Sequence, residues 1–401
     1  MKVLFVVANH PPEACGGTEQ VVVALGAELR ARGVEIAVAS GSDVPLGECH
    51  VFDEVHDGVV VTRMPRTMSE RDQHGFQRPR LLELLRRRID AFAPDVVHVH
   101  SFTHFGVGIG ALCAARAVPM VVTCHDLWVT CARYFRLPVP GLTCPSGTDR
   151  TPCVPCVNTF LQEYEHLVVQ GLAERDRLLR AEFASAAAVT TPSATAASFV
   201  RDCLPYGQPI EVIPHGLLRA VPAADRAAPP LPGERLRVGT FGGLVRAKGL
   251  VELLDAVTGL PIELHLSGRL HEPDLRELVA ARQRGGLPVV WRDAYGPTDR
   301  HPARDLHLAV FPSKCQETYG LVVDEALAHG VPTVVSDQGA LAERAHTPGV
   351  VVTSLARLAP VLRELVGSPA RLAALRAAIP ASLPTIATSA QRHLELYRRL
   401  R

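Results

Sequence analysis

The chain carries almost no net charge. Its 42 Lys and Arg stand against 41 Asp and Glu, a balance of +1, so nothing global draws it to nucleic acid. No apolar run reaches the roughly 18 residues that a membrane span needs. The opening stretch MKVLFVVANHPP has a short apolar run without a small-residue cleavage site, and it reads as a first strand rather than a leader. Ten cysteines in 401 residues are too sparse for a secreted disulfide scaffold. The glycine-dense GVGIG at Gly106 to Gly110 lacks the G-x-G-x-x-G spacing and a following acidic residue, which excludes a dinucleotide fingerprint. No D-x-D occurs anywhere, so the sequence offers no such carboxylate pair for a divalent ion on a diphosphate. A cytoplasmic, soluble enzyme is the expectation. At 47% hydrophobic and 21% charged residues, 401 residues suit about two domains with separate cores.

What is present centres on Phe311 to Asp337, FPSKCQETYGLVVDEALAHGVPTVVSD. An apolar run, Leu306 to Phe311, reads as a buried strand. A Pro-Ser turn and a loop with Lys314, Glu317 and Tyr319 follow. From Gly320, the residues Leu321, Val322, Glu325, Ala326 and Ala328 recur at helical spacing, and Gly330 and Pro332 stop the helix. Thr333 to Ser336 is the next strand. The loop of this βαβ unit lies at the carboxyl end of a strand, where open α/β sheets bind ligands. Gly320 lets a phosphate approach the first helical N–H groups, whose dipole favours an anion. Glu325 is then placed to accept two vicinal ribose hydroxyls, and Glu317 to face what hangs from the far phosphate. By itself the E-x7-E spacing equally describes one capping and one solvated glutamate; the surrounding pattern gives it weight.

That pattern resembles the donor-binding signature of retaining glycosyltransferases of the GT-B fold, family four: a strand ending in PS, then E-x-x-G-L-x-x-x-E-A and G-x-P. Pro312, Ser313, Glu317, Gly320, Leu321, Glu325, Ala326, Gly330 and Pro332 supply each element. A second match lies near the other end of the chain. There Gly16-Gly17-Thr18-Glu19 follows a strand at Lys2 to Ala8, similar to the family's P-P-x-x-G-G-x-E. The string GGLVRAKG resembles the family's G-R-L-x-x-x-K-G, with Lys248 and Gly249 at its end. Gly243 departs from it, so Arg246 or another cation must help on the diphosphate, or Lys248 acts alone. His125-Asp126 follow a predicted strand, Pro119 to Cys124, and a family histidine there contacts the transferred sugar. His98 and His100 share one face of the strand VVHVHS. His215 stands in IPHG, where the family more often has Asn.

The resemblance implies Glu317, His125 and Lys248 as catalytic, with Gly16, Gly17, Gly243, Arg246, Tyr319, Gly320, Leu321 and Glu325 on the donor, and Asp126 and His100 on the acceptor side. It also implies two doubly wound Rossmann-like α/β domains facing a central cleft. The expected domains are 1–218 on the acceptor side, a Pro/Ala-rich linker at 219–235, and 236–379 on the donor side. A last helix, within 380–401, would cross back to the first domain. The donor would be a UDP- or GDP-sugar and the acceptor a small molecule or glycan, with no nucleic acid and no catalytic metal; the oligomeric state is not read from the sequence. A nucleotide-sugar epimerase or hydrolase of the same fold, or a non-catalytic binding module, is the alternative.

Cys131, Cys144, Cys153 and Cys156 are spaced C-x12-C-x8-C-x2-C in a proline-rich stretch without hydrophobic pattern. Four thiolates are the ligand set of a closed structural zinc site; free thiols, disulfides or an iron–sulfur cluster are the other readings. Phe160 to Ala184 reads as one long helix. The arginines 80, 86, 87 and 88 read as a solvated helix face.

Overall fold

A computed structural model describes residues 1–401 apart from 44–49, 68–69, 71–75, 205, 271 and 297–298. Backbone contacts group the chain into two units: Met1–Leu218 with Ile386–Arg401, and Arg219–Thr385.

In the first unit a mostly parallel sheet forms, with short apolar runs buried on both faces at its centre and more exposed strands at its edges. Its strands are β1 (Lys2–Val7), β2 (Glu35–Ser42), β3 (Phe52–His56), β4 (Val59–Pro65), β5 (Val96–Val99), β6 (Met120–Thr123), β7 (Ala188–Thr191) and β8 (Ile210–Val212). Their order is β3-β4-β2-β1-β5-β6-β7-β8, with only β3 antiparallel to its neighbour among the described strands. Val6 pairs with Val99, Val99 with Val122, Thr123 with Thr190, and Thr191 with Val212. This register brings the residues that follow β1, β5, β6 and β8 out at one edge, which is what assembles a site from distant segments.

Alternation splits the sheet's side chains between two layers. Leu4, Val6, Val97 and Val99 join Leu81, Leu85 and Ile89 of the helix Pro79–Phe92, together with Leu179 and Phe183 of the helix Glu165–Ala184. His98 faces the other layer, where the helix Ile386–Arg399 brings Tyr397 and His393. That helix also lies against the helix Gly17–Ala31. Arg86 and Arg87 pair with Glu83, and Arg86 with Asp90, one helical turn away (2.5–3.0 Å), as a solvated face does.

The second unit has β9 (Leu236–Phe241), β10 (Ile262–Ser267), β11 (Val289–Arg292), β12 (Leu308–Phe311), β13 (Thr333–Ser336) and β14 (Val350–Thr353). The order is β11-β10-β9-β12-β13-β14 and every pair is parallel. Strands that reverse order around a central pair are the doubly wound arrangement, with ligands at the carboxyl ends. Stretch 219–235 contains one short 3-10 turn, Ala223–Asp225, and packs on this unit. Ala227 N–H donates to His329 O at 2.8 Å, and Asp225 pairs with Arg304 at 2.6 Å.

One expected helix is two. The run from Phe160 to Ala184 breaks between Cys153–Leu161 and Glu165–Ala184. Gln162 takes a left-handed φ of 54°, and the Asn158 side chain closes the break, accepting from Glu163 N–H and donating to Glu163 O. A local side-chain bond here competes with helix continuation.

Candidate active site

At the carboxyl end of β12 two loops are locked together. Lys314 and Cys315 both donate backbone N–H to Ala247 O, at 2.9 and 3.1 Å. Gly249, at φ +80°, follows Lys248, and a Cβ there would lie 1.8 Å from Pro312 O, so only glycine lets the loops touch. The result is a direct ion pair: Lys248 Nζ donates to Glu317 Oε1 at 2.5 Å. Burial works against the ammonium, but the adjoining carboxylate outweighs it and holds Lys248 above the usual lysine value. Gly339 braces Glu317 from the other side. At φ +61° its missing Cβ would sit 2.3 Å from Glu317 O, and Ala340 N–H donates to the same oxygen at 2.8 Å. Sequence reasoning missed Gly339; a lone glycine after a strand carries no signal of which backbone it must touch.

Gly320 caps the helix Leu321–Ala328, so the helix N-terminus opens three residues after Glu317. Tyr319 lies under the Arg344 guanidinium, 4.9 Å from its ring centre, and Arg344 bonds Asp324 at 2.9 Å, a bracing pair that the motif does not reveal. Glu325 lies on this helix with His301 Nε2 at 3.6 Å from its Oε2. A Cβ added at Gly243 would lie 3.9 Å from Lys248 Cγ, an ordinary contact, so a side chain there would pack beside the lysine stem. Arg246 is turned onto Asp274 and Glu272. Lys248 is therefore the loop cation in contact with Glu317.

In the first unit the strand register gathers histidines. His100 Nδ1 is 2.8 Å from His125 Nε2, and His125 Nδ1 is 3.4 Å from His215 Nε2. The rings of His98 and His100 lie 3.9 Å apart between centroids, tilted by 34°, and His98 bonds Tyr397 Oη at 2.6 Å and Thr123 Oγ1 at 2.7 Å. Burial pushes the His125 imidazole down to about 3 and that of His393 to about 4, and it depresses His98, His100 and His215 as well. The column is neutral at physiological pH. Among the described residues His100 Nε2 is buried without a partner. The tautomers are linked along the column: if His100 Nδ1 donates to His125 Nε2, the neutral His125 ring carries its proton on Nδ1, toward His215. His98, His215 and His393 were not legible as members of this column.

Beside it, Asp126 accepts Trp128 N–H at 2.8 Å, yet burial pushes its carboxyl up. Glu19 is also pushed up, by burial first and by the charge of Asp126 among the smaller causes. Gly16 is the N-cap of the helix Gly17–Ala31, with Glu19 in its first turn. The GVGIG loop is occupied internally: Gly108 and Gly110 donate N–H to the Glu182 carboxylate at 2.6 and 2.8 Å.

The four cysteines of the expected zinc site lie near one another: burial first, and the charges of Cys131, Cys153 and Cys156 among the smaller causes, push the Cys144 thiol up. Among the described residues no group of three or more His, Cys, Asp or Glu is placed to hold a metal ion, and Cys131, Cys144, Cys153 and Cys156 are free thiols. Cys153 and Cys156 open a helix rather than a chelating turn, and arginines reach the sulfurs: Arg133 Nη1 donates to Cys156 Sγ at 2.9 Å. Asp176 also ties the segment down, pairing with Arg150 at 2.7 Å and Arg175 at 3.7 Å. Arg175 in turn bonds Trp128 O and lies over the Trp128 ring. Val154, Val168 and Leu172 add a small apolar cluster.

Among the described residues no helix is long and apolar enough to cross a membrane. The chain is 29% identical over 392 residues to the D-inositol 3-phosphate glycosyltransferase 1 of Catenulispora acidiphila, covering 90% of this chain and 85% of that protein. It is 27% identical over 354 residues to the GDP-mannose-dependent alpha-mannosyltransferase of Mycolicibacterium smegmatis, covering 84% and 80%. The crystal structure of Anabaena HepE in complex with UDP-glucose superposes with a TM-score of 0.64 at 16% identity, over 100% of both chains. A model described as glycosyl transferases group 1 matches residues 235–368. The model of Glycosyltransferase Family 4 matches residues 15–217, just over half of the sequence, and the chain is a family 4 glycosyltransferase with the GT-B fold.

Proposed function

We propose that this glycosyltransferase moves a hexose from a UDP- or GDP-linked donor to an acceptor with retention of anomeric configuration. The observation that carries it is the Lys248–Glu317 pair at the end of β12, followed directly by a helix N-terminus and Glu325. Lys248 and the first N–H groups of the helix Leu321–Ala328 meet the diphosphate and stabilise the charge it gains as the sugar–phosphate bond breaks. Glu317 then exchanges part of its contact with Lys248 for the sugar, orients it and steadies positive charge at the anomeric carbon. Glu325 takes the ribose hydroxyls. The departing phosphate accepts the acceptor proton on the same face of the sugar, and no metal is required at the diphosphate.

On the acceptor side, His125 meets the sugar as a neutral imidazole, with Asp126 and His100 behind it. Both its ring nitrogens already face histidines, so substrate exchanges the longer, 3.4 Å contact with His215. The GDP-mannose and UDP-glucose in the names of the relatives support either nucleotide. The nine described cysteines, all free, support a reducing, cytoplasmic setting.

Thermal shift against a panel of nucleotide-sugars tests the donor. One UDP- or GDP-sugar at a hundred times its dissociation constant adds about 2.7 kcal/mol to stability, and the Glu325→Ala protein loses most of that shift. Equal shifts in both proteins contradict the placement of the donor.

A further inference from the structure

Glu325 does not stand alone in the second unit. His301 Nδ1 accepts the N–H of Ala303 at 3.2 Å, so in the neutral ring the proton sits on Nε2, the nitrogen 3.6 Å from Glu325 Oε2. His329 stacks on His301, 4.4 Å between centroids and 15° between planes. His329 Nδ1 donates to the Glu325 carbonyl at 2.8 Å, tying the stack to the same residue whose carboxylate it faces. Phe241, at 5.0 Å and 83°, and Tyr295, at 5.6 Å and 77°, close edge-on around the His301 ring. The ring is thus held on three sides and by one backbone bond, and its single remaining polar atom points at one oxygen of Glu325. Both side chains keep about a quarter of their surface open, 22% for His301 and 25% for Glu325.

We infer that His301 is a positioning residue that fixes the Glu325 carboxylate for the ribose diol of the donor nucleotide, and so sets the preference for a ribonucleotide. The inference rests on the donor assignment of Glu325 above. At 3.6 Å the His301 Nε2–H faces Glu325 at electrostatic range, just short of a hydrogen bond, and a carboxylate biased in this way loses less affinity to reorganisation when it accepts two vicinal hydroxyls. The sequence gives no hint of it: His301 lies 24 residues before Glu325, outside the E-x7-E block, in a loop after β11.

The test is calorimetric titration of the full chain with UDP, GDP and the 2′,3′-dideoxy form of whichever binds. Glu325→Ala should weaken the ribonucleotide by about ten- to hundredfold, the range of a hydrogen bond to a charged group. His301→Ala should weaken it by about three- to tenfold, leave the dideoxynucleotide unchanged, and add no loss in the His301→Ala/Glu325→Ala protein. His301→Gln, which keeps an N–H donor, should recover part of the loss. A His301→Ala loss that is equal for the dideoxynucleotide, or that adds fully to Glu325→Ala, overturns the inference, as does no loss at all where Glu325→Ala shows one. If Glu325→Ala itself changes nothing for either nucleotide, the donor assignment fails and the inference with it. Melting curves of each variant confirm that the comparison is between folded proteins.

Discussion

Lys248→Ala lowers turnover by about 10²–10³-fold, the size of effect seen when one preorganised group on a developing oxyanion is removed. The wild-type ammonium sits 2.5 Å from Glu317 and is held charged by it, so it is in place before the phosphate gains charge. Donor KM changes less than kcat, because the interaction strengthens as the bond breaks. Glu317→Gln, which preserves shape and removes charge, gives a loss of similar order. The double variant falls well short of the product of the two, since residues in direct contact are not additive. Steady-state kinetics with one donor at fixed acceptor measures all three. Full turnover in Glu317→Gln contradicts the assignment. So does a purely KM effect of Lys248→Ala, which would make the lysine a uniform binding contact.

Asp176→Asn destabilises the first unit by about 3–5 kcal/mol, the cost of stripping a buried charge of its partner. Its side chain is 7% exposed, and the two guanidinium groups it faces are 11% (Arg150) and 2% (Arg175) exposed. Burial lowers Arg175 to about 10, a sign of how little water reaches that cation. For a unit of this size, each kcal/mol is worth about 2–4 °C of melting temperature, so the fall is on the order of 10 °C. Chelation should not reproduce it. If a metal held by the four thiols ordered the segment instead, a chelator would produce a fall of that size and Asp176→Asn a small one.

The donor block is legible from sequence because it is local: 27 consecutive residues, Phe311 to Asp337, hold strand, loop, both glutamates, helix and strand. Lys248 is legible only as the end of a motif. Its meeting with Glu317 depends on Gly249 and Gly339 admitting a close backbone approach, which no spacing announces. The histidine column is less legible still. His98, His100, His125, His215 and His393 are spread over nearly the whole chain, and only the parallel register of β5, β6, β7 and β8 and the last helix bring the rings together. The cysteine spacing does not by itself say what orders its segment. Cys153 and Cys156 lie one turn apart on a helix, while Arg133, Arg150 and Arg175 bring cations into the same segment. An arginine's partner in a fold cannot be read from its neighbours in sequence.

The most direct test of the central proposal is to incubate the protein with the nucleotide-sugar that stabilises it most, with and without an acceptor mixture. Phosphorus NMR follows the nucleotide and proton NMR the anomeric signal. Transfer at the Lys248–Glu317 site predicts release of free nucleoside diphosphate, faster with acceptor, together with a new sugar signal of retained anomeric configuration. Both should be lost in Glu317→Gln. Conversion of the sugar to its epimer while the diphosphate stays attached, or a product of inverted configuration, would contradict it.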